Sequence, residues 1–265
     1  MIRVVITGVC GRMGRCITQG IAEQVDMELV GAIQYSGHPQ IGSDVGVVAG
    51  IGEIGVPVTG KLEDVLDSAD VIIEFSKPEA TVQYLQQAVD ADKAVVIGTT
   101  GFSTNELAIV KTLASQTRCV MAPNMSLGVN VMIQASELIA KALGDDYNIE
   151  TIETHHNRKT DAPSGTALRL AETVAVALGR DLAEIGVYGR HGIVGARTQQ
   201  EIGTHAVRGG DIAGDHTVLF ATEGEQLNII HRSHNREAFA KGAIRAARWV
   251  VNAPKGLHDV SEVLF

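Results

Sequence analysis

The chain has 265 residues, and its 22 Lys and Arg against 31 Asp and Glu give a formal net charge of −9. Proteins that bind nucleic acid use Lys and Arg to displace the counterions condensed on phosphates, so the acidic excess argues against that class. Hydrophobic residues make up 45% and charged residues 20%, which is typical of a globular rather than a disordered chain. The length allows one large or two modest domains.

Membrane, disulfide and metal-binding classes are also disfavoured. No apolar run approaches the roughly 20 residues of a membrane helix, and the first residues are strand-like rather than signal-like, so we expect a cytoplasmic protein that does not bind membranes. The three cysteines, Cys10, Cys16 and Cys119, have no CxxC spacing, and no HExxH pattern is present. Neither a disulfide framework nor a metal site is expected.

Short apolar strands alternate with helices over the first 122 residues. A β-branched strand is predicted at 3–7, followed by a glycine-rich turn and a helix over 14–25. The remaining strands are predicted at 29–33, 71–75, 94–97 and 119–122, with helices at 78–91 and 104–115. The glycine-rich stretch 41–60 reads as a long loop with one short strand at 57–59. Near-continuous apolar strands predict a parallel sheet covered by helices on both faces.

The pattern changes from about residue 130. A helix from about residue 130 precedes a strand at 148–155 and a helix at 165–178. Three strands follow, at 204–208, 216–221 and 226–231, and the last two form a hairpin. The last predicted element is a helix over 236–251. We predict an α/β Rossmann-type parallel-sheet domain formed by residues 1–126 and 236–265. An inserted α+β domain with a mixed, partly antiparallel sheet is predicted for residues 127–235.

A glycine-rich segment, Gly8-Val9-Cys10-Gly11-Arg12-Met13-Gly14, follows the first strand and opens a helix. In a dinucleotide fold such glycines permit a tight turn, close approach of the backbone to pyrophosphate, and packing of helix on strand. The helix N-terminus then attracts the phosphates. The spacing is GxxGxxG rather than GxGxxG, so a glycine turn without a ligand stays as the alternative. No Lys-Ser/Thr pair ends the run, which disfavours nucleoside triphosphate chemistry.

The end of the second strand bears on the choice of cofactor. A carboxylate there would bind the adenosine ribose and repel a 2′-phosphate, but Gln34 and Tyr35 occupy the position, and Glu28 lies at the start of the strand. Arg12 or Arg15 could then pair with a 2′-phosphate. The sequence predicts NADPH and/or NADH as the cofactor.

Two further loops follow strand ends, where ligands collect in open α/β sheets. They are Gly98-Thr99-Thr100-Gly101, expected on the nicotinamide side, and Ala122-Pro123-Asn124-Met125-Ser126. Ordinary turn chemistry explains both patterns equally well, so the residues alone leave the two interpretations open.

Seven of the nine histidines lie between residues 155 and 234, and the densest polar segment begins at the first of them: His155-His156-Asn157-Arg158-Lys159-Thr160-Asp161-Ala162-Pro163-Ser164-Gly165-Thr166. Two histidines end a strand, two cations follow, and Ser164 opens a helix whose N–H groups can bind an anion. The pattern predicts a carboxylate-binding site at which His155 and Lys159 exchange protons. Since no GxSxG surrounds Ser164, a hydrolase is disfavoured.

These motifs resemble those of the dihydrodipicolinate reductase family of diaminopimelate and lysine biosynthesis. The most specific match spans residues 153–167; the segments 8–14, 98–102, 124–130 and 208–216 agree in the same order. The resemblance implies a Rossmann domain and a second domain whose mixed sheet builds a homotetramer. It also implies hydride transfer from the nicotinamide to C4 of a small cyclic dicarboxylate formed by loss of water, which gives tetrahydrodipicolinate.

Matched positions imply roles for individual residues. His155 is expected as the acid/base and Lys159 as the proton donor. A substrate carboxylate is expected to bind at His156, Ser164, Gly165 and Thr166. Cofactor contacts are expected at Gly8, Val9, Cys10, Gly11, Arg12, Met13, Gln34, Tyr35, Gly98, Thr99, Thr100, Ala122, Pro123, Asn124 and Met125. The chain departs from the family pattern at 34–35, often an acidic residue followed by Arg, and at Met125, where an aromatic is common; we expect Met125 to pack against the nicotinamide ring.

Two other functions fit part of the pattern. Sugar-type two-domain Rossmann dehydrogenases have a Lys-Pro element similar to Lys77-Pro78, but that function leaves the histidine segment unexplained. A protein that senses NAD(P) without turnover is the non-enzymatic alternative. The cationic segment 155–160 favours an enzyme with a dianionic substrate.

Overall fold

The computed structural model describes residues 1–264, and the chain divides into two compact units: residues 1–127 with residues 236 onward, and residues 128–235. The strands are β1 Ile2–Thr7, β2 Met27–Ile33, β3 Val58–Thr59, β4 Val71–Glu74, β5 Ala94–Ile97, β6 Arg118–Met121, β7 Asn148–His155, β8 Gly186–Tyr188, β9 Ile202–Arg208, β10 Gly214–Thr222, β11 Glu225–Ser233 and β12 Gly256–His258. The helices are α1 Arg12–Ala22, α2 Val45–Ala49, α3 Glu63–Leu66, α4 Pro78–Asp90, α5 Thr104–Ala114, α6 Leu127–Leu143, α7 Gly165–Ala177, α8 Leu182–Ile185, α9 Glu237–Val250 and α10 Val260–Leu264.

Seven parallel strands form the sheet of the first unit, in the order β12-β6-β5-β4-β1-β2-β3. The chain runs outward from β1 through β2 to β3, and from β4 through β5 to β6 in the opposite direction. The carboxyl ends of β1 and β4 therefore flank the point where the strand order reverses, which is where ligands bind in such sheets. The predicted Rossmann-type parallel sheet is confirmed.

Apolar clusters cover both faces of this sheet. Val4 and Ile6 of β1 enter one cluster with residues of α1 and α9, whereas Val5 enters the other with residues of α4 and α5. Successive side chains of a strand point to opposite faces, so a strand covered on both sides must be apolar throughout. Full burial of each Val or Ile contributes about 1.5–3 kcal/mol to folding.

Short elements account for most differences between prediction and structure. The stretch 41–60 contains the helix α2 as well as the expected strand. Its N-cap is Asp44, whose Oδ1 accepts a hydrogen bond from the Gly46 N–H at 2.8 Å, and Gly50 ends it in the left-handed region at φ +82°. A five-residue helix is too short to show a helical repeat, and the same reason applies to α3, α8, β8 and the edge strand β12.

The second unit has a five-stranded sheet in the order β11-β10-β7-β9-β8. β10 pairs antiparallel with β7 and β11, whereas β7, β9 and β8 pair in parallel. The predicted mixed sheet is therefore confirmed. Its inward face packs against α6 and α7, with Ile149 and Phe220 of the sheet beside Leu170 and Val174 of α7. Within residues 1–264, no helix has both the length and the apolar character needed to cross a bilayer.

Candidate active site

The turn between β1 and α1 is built on two glycines that admit no side chain. Gly8 has φ +71°, and a Cβ there would lie 2.2 Å from the carbonyl oxygen of Phe75. A Cβ on Gly14 would lie 2.5 Å from the Cα of Val9. The glycines thus let β1, α1 and the end of β4 come together, and they leave the N-terminus of α1, capped at Gly11, close behind the turn. This is the geometry in which a helix N-terminus receives a pyrophosphate.

The predicted nicotinamide loop lies beside this turn. A Cβ on Gly98 would lie 2.1 Å from the ring of Phe75, so Phe75 contacts Gly8 through its carbonyl group and Gly98 through its ring. Thr99 is buried and Thr100 is exposed. The structure therefore brings the Gly8 turn and the Gly98 loop to the same point on the carboxyl edge of the sheet.

A buried carboxyl group that sequence reasoning missed joins these loops. Glu74, the last residue of β4, is 1% exposed. Oε2 accepts hydrogen bonds from the hydroxyls of Thr99 at 2.5 Å and Thr81 at 2.8 Å; Oε1 accepts from the Ser76 N–H at 2.9 Å, from the Thr7 hydroxyl at 3.3 Å and from the Ser76 hydroxyl. These partners are neutral, and burial raises the pKa of Glu74 above its ordinary value although the hydrogen bonds oppose the shift.

The end of β2 presents neutral side chains, as the sequence predicts. The Gln34 N–H donates to the Thr59 carbonyl at 3.0 Å, and the exposed ring of Tyr35 packs edge-on against His38. Arg12 and Arg15 are exposed in the first turns of α1, where the Arg15 guanidinium donates to the Cys10 carbonyl at 3.2 Å. Met13 is half-buried against the core, and Val9 is fully buried, so Val9 offers only its backbone.

The loop after β6 requires one correction. Met125 is 2% exposed and belongs to the apolar core, and Gly242 of α9 approaches it so closely that an added Cβ would lie 1.7 Å from the Met125 carbonyl oxygen. The Met125 side chain therefore fills the core and does not present the nicotinamide-packing surface that we expected. Ala122 is also buried, whereas Pro123 is exposed and Asn124 is half-buried with its Oδ1 accepting the Ser126 N–H at 2.9 Å.

In the second unit, the end of β7 carries a buried carboxylate and an imidazole in contact. Glu153 and His155 lie two residues apart and both point inward, with exposures of 0% and 9%. The Nδ1 atom of His155 is 2.5 Å from Oε2 of Glu153. The Arg208 guanidinium donates to both carboxylate oxygens at 2.8 Å, and the Ser164 N–H donates to Oε1 at 3.0 Å. Burial opposes the charge, but Arg208 and then His155 lower the pKa of Glu153 below its ordinary value.

The other side of the His155 ring is kept clear by a glycine. Gly214, the first residue of β10, has φ +156°, and a Cβ there would lie 2.9 Å from Nε2 of His155. His216, two residues further along β10, has its ring 5.2 Å from that of His155, and its Nε2 is 3.2 Å from the Ser164 hydroxyl. Burial and the neighbouring His155 lower the pKa of His216 to about 4, so that it is neutral in the physiological range.

One cation of the predicted substrate segment, Lys159, forms an ion pair. The Lys159 ammonium lies 2.8 Å from Oδ1 of Asp161, and this contact lowers the pKa of Asp161. The Lys159 N–H donates to the His156 carbonyl at 3.1 Å. Lys159 of the cationic segment 155–160 therefore has an acidic partner just outside that segment, at Asp161.

The N-terminus of α7 already holds one carboxylate of the protein itself. Ser164 is the N-cap, with its hydroxyl accepting the Ala167 N–H at 3.2 Å and its own N–H donating to Glu153. Ser164 is 2% exposed, so its hydroxyl stabilises the helix start. Gly165 is exposed and Thr166 half-buried at the same end of α7, which leaves these two as the accessible part of the predicted anion site.

Four residues around His155 and the cofactor loops were missed by sequence reasoning: Glu74, Glu153, Arg208 and His216. A signal existed for Glu153, because two residues separate it from His155 on a predicted strand and a strand repeats every two residues. Glu74 stood at the end of an apolar strand, where a carboxylate is unusual. Among residues 1–264, no group of three or more His, Cys, Asp or Glu side chains has metal-binding geometry.

Both parts of the chain match models of one family. The family model described as "Dihydrodipicolinate reductase, N-terminus" matches residues 2–125, and "Dihydrodipicolinate reductase, C-terminus" matches residues 128–264. The 4-hydroxy-tetrahydrodipicolinate reductase of Syntrophus aciditrophicus (strain SB) is 46% identical over 264 residues, which cover 100% of this chain and 98% of the relative.

Solved structures agree with this relationship. The dipicolinate-bound dihydrodipicolinate reductase from Paenisporosarcina sp. TG-14 has a TM-score of 0.77 at 27% identity, with 98% of this chain and 97% of the other covered. A myo-inositol dehydrogenase from Corynebacterium glutamicum ATCC 13032 has a TM-score of 0.61 at 14% identity, with coverages of 97% and 90%, which shows a shared fold alone. The family models and the full-length identity show that this chain belongs to the dihydrodipicolinate reductase family.

Proposed function

We propose that the protein catalyses the NAD(P)H-dependent reduction of 4-hydroxy-tetrahydrodipicolinate in diaminopimelate and lysine biosynthesis. Family membership names the reaction, through 46% identity to a curated reductase of that name over the whole chain. The observation that carries the chemistry is the His155 cluster, in which a buried carboxylate holds one ring nitrogen and a glycine leaves space at the other. An imidazole arranged in this way suits proton transfer to or from a small substrate.

The cofactor in this proposal is a nicotinamide dinucleotide at the carboxyl edge of the seven-stranded sheet. The Gly8 turn and the Gly98 loop fit such a group because a Cβ at either position would meet Phe75, so both must remain bare backbone. Gly8 to Met13 would hold the pyrophosphate, and the segments 98–100 and 122–125 the nicotinamide half, with Met125 offering only its backbone because its side chain is buried in the core. When bound, the cofactor supplies a hydride.

The end of β2 supports the use of NADPH as well as NADH. Gln34 and Tyr35 carry no charge, so a 2′-phosphate meets no repulsion there, and Arg12 and Arg15 are exposed on α1. We expect kcat/KM for NADPH to be at least comparable with that for NADH. A strong preference for NADH, measured with the same substrate, would contradict this part of the proposal.

Proton chemistry is assigned to the second unit. Hydride addition at C4 of the cyclic substrate must be balanced by one proton, and His155 and Lys159 are the groups proposed to exchange it. His156, Gly165 and Thr166 would hold a substrate carboxylate at the exposed start of α7, where N–H groups and the helix dipole favour an anion. Ser164 belongs to the same site because it is the N-cap of α7. Its buried hydroxyl accepts the Ala167 N–H and holds the start of the helix in place.

We further propose a cytoplasmic homotetramer. Strand register places Ile152, Val207 and Ile230 on the outer face of the five-stranded sheet, where they are 37%, 48% and 54% exposed. Three exposed aliphatic side chains on one sheet face support association of copies through that face. Light scattering of the purified protein should give four times the chain mass, and a monomer would contradict the proposal.

The function is tested with a coupled assay. Purified protein is mixed with NADPH and the product of dihydrodipicolinate synthase, and NADPH absorbance is followed. We expect oxidation that requires both components, and the Lys159→Ala variant should lose turnover while it keeps cofactor affinity. Absence of NADPH and NADH oxidation with this substrate would refute the assigned reaction, and turnover with a polyol instead would favour the sugar-type alternative.

A further inference from the structure

We propose that Glu153 is a positioning residue for catalysis, which holds His155 with its Nδ1 atom protonated so that proton transfer takes place at Nε2. The inference rests on the proposed function, in which His155 is the acid/base. The inference also gives Arg208 a supporting role, which is to fix the orientation of the Glu153 carboxylate. Neither residue needs to touch the substrate.

The strand register places Glu153 at the centre of this group. His216 of β10 is the cross-strand neighbour of Glu153, and Arg208 of β9 is the neighbour of His155. Glu153 therefore lies between a strand that brings a cation and a strand that brings a neutral imidazole. Its side chain is 0% exposed, so water does not compete for its hydrogen bonds.

Four contacts determine the orientation of the carboxylate. Arg208 takes one site on each oxygen at 2.8 Å, the Ser164 N–H takes a second site on Oε1, and His155 takes a second site on Oε2. A bidentate Arg pair fixes the plane of a carboxylate as well as its charge. The remaining site, towards His155, is thus rigidly placed.

The identity of the donor follows from the charge of Glu153. An ionised carboxylate only accepts hydrogen bonds, so the 2.5 Å contact requires a proton on Nδ1 of His155. In the neutral ring Nε2 is then the acceptor, and in the charged ring Nε2–H is the donor. Glu153 also stabilises the charged ring, because it lies next to the positive charge that forms.

The surroundings of Nε2 agree with this assignment. Gly214 has no side chain to cover it, and His216, whose pKa is about 4, adds no second positive charge beside the ring. Two further charged groups lie near the cluster: Lys159, which is paired with Asp161, and Arg208, which is paired with Glu153. Glu153 is the carboxylate in direct contact with the His155 ring.

The first test compares two Glu→Gln variants on the same strand. Glu153→Gln should lower kcat by about 100-fold or more with a small change in KM, since loss of the correct tautomer in such carboxylate–histidine pairs costs up to about 10⁴-fold. Glu150→Gln is the matched control, because Glu150 lies on the outer face of β7 and pairs with Arg190 and Arg197. It should keep the wild-type kcat, and Glu153→Asp should recover part of the lost rate.

A double-mutant cycle separates positioning from folding. If Glu153 acts through His155, then Glu153→Gln should lower kcat less than about threefold in a His155→Ala background. An equal loss in both backgrounds would overturn the inference while the proposed function stands. If the His155→Ala variant instead keeps the wild-type kcat, then His155 has no catalytic role, and the inference about Glu153 fails as well.

A measurement on the wild-type protein keeps the inference testable even where Glu153→Gln does not fold. With ¹⁵N-labelled histidine, the His155 signals are identified by their loss in His155→Ala, and the ¹⁵N shifts show which ring nitrogen carries the proton in the neutral form. We expect Nδ1–H. A neutral ring protonated at Nε2 would overturn the inference.

Discussion

A side chain at Gly8 would have two effects: backbone strain in the left-handed region and steric contact with Phe75. One pair of variants separates these effects. Gly8→Ala adds a Cβ that would lie 2.2 Å from the Phe75 carbonyl oxygen, at φ +71°. Gly50→Ala adds a Cβ at φ +82° with no neighbour within 4 Å. Both variants place Ala in the left-handed region, but only Gly8→Ala also forces backbone apart.

Magnitudes follow from these distances. The left-handed region costs an L-residue about 1–2 kcal/mol, which is the whole loss of unfolding free energy expected for Gly50→Ala. In Gly8→Ala the backbone must also move by about 1 Å to reach van der Waals contact, and overpacking of this kind adds about 1–3 kcal/mol. Since the displaced atoms belong to the proposed pyrophosphate turn, we expect the Kd for NADPH to rise by about tenfold or more.

Urea unfolding gives the stabilities, and the fluorescence of bound NADPH gives the Kd values. The Gly50→Ala variant should bind NADPH as the wild type does, because its change lies at the end of α2. Wild-type NADPH affinity in folded Gly8→Ala would refute the steric argument. An equal loss of affinity in both variants would also refute it, because Gly50→Ala makes no contact with Phe75.

Two further predictions concern titration of buried groups, and each is read as the difference in unfolding free energy between wild type and variant. Because burial raises the pKa of Glu74 above its ordinary value, the wild type should lose stability as the pH rises above about 4.5, and the Glu74→Gln variant should gain stability relative to the wild type over the same rise. A pH-independent difference would contradict this expectation. His216 has a folded pKa of about 4, below its unfolded value of 6.5, so its stabilising contribution is complete above about pH 6.5 and is lost as the pH falls towards 4, by up to about 3 kcal/mol. His216→Gln should flatten the stability curve in that window only, and an unchanged slope would refute the assignment.

Strands rich in β-branched residues and contiguous motifs could be predicted from the sequence. The strand at 94–97 and the strand at 148–155 have the predicted bounds, because the first is a continuous apolar run and the second is rich in Ile and Thr. The three cofactor segments and the histidine segment are each continuous in sequence. Their chemistry could therefore be interpreted before the fold was known.

Contacts between distant residues could not be predicted in the same way. Glu153 and Arg208 are separated by 55 positions, and only the parallel register of β7 with β9 brings them together. The same holds for Glu74 and Thr99, which come from two neighbouring strand ends. Met125 was misplaced because an apolar residue after a strand suits both a ligand surface and a core, and only the close approach of α9 decides between them.

The ion pair between Lys159 and Asp161 weakens the attraction that the Lys159 ammonium can exert on a substrate carboxylate. A dianionic substrate must compete with Asp161, whose side chain is 57% exposed, for the Lys159 ammonium. Removing this competitor in Asp161→Asn should lower KM, while stability changes by less than about 1 kcal/mol because exposed pairs contribute little. Since about 1 kcal/mol corresponds to about a fivefold change in an equilibrium constant, KM should fall by no more than about fivefold.

Ionic strength provides the check on this argument. Salt screens exposed charges, so the advantage of Asp161→Asn over the wild type should shrink as salt is raised from about 0.01 M to about 1 M. The Asp145→Asn variant is a control of the same charge, because Asp145 pairs with Arg180 instead. A higher KM in Asp161→Asn would mean that Asp161 holds Lys159 in its working position, and the competition argument would then be wrong.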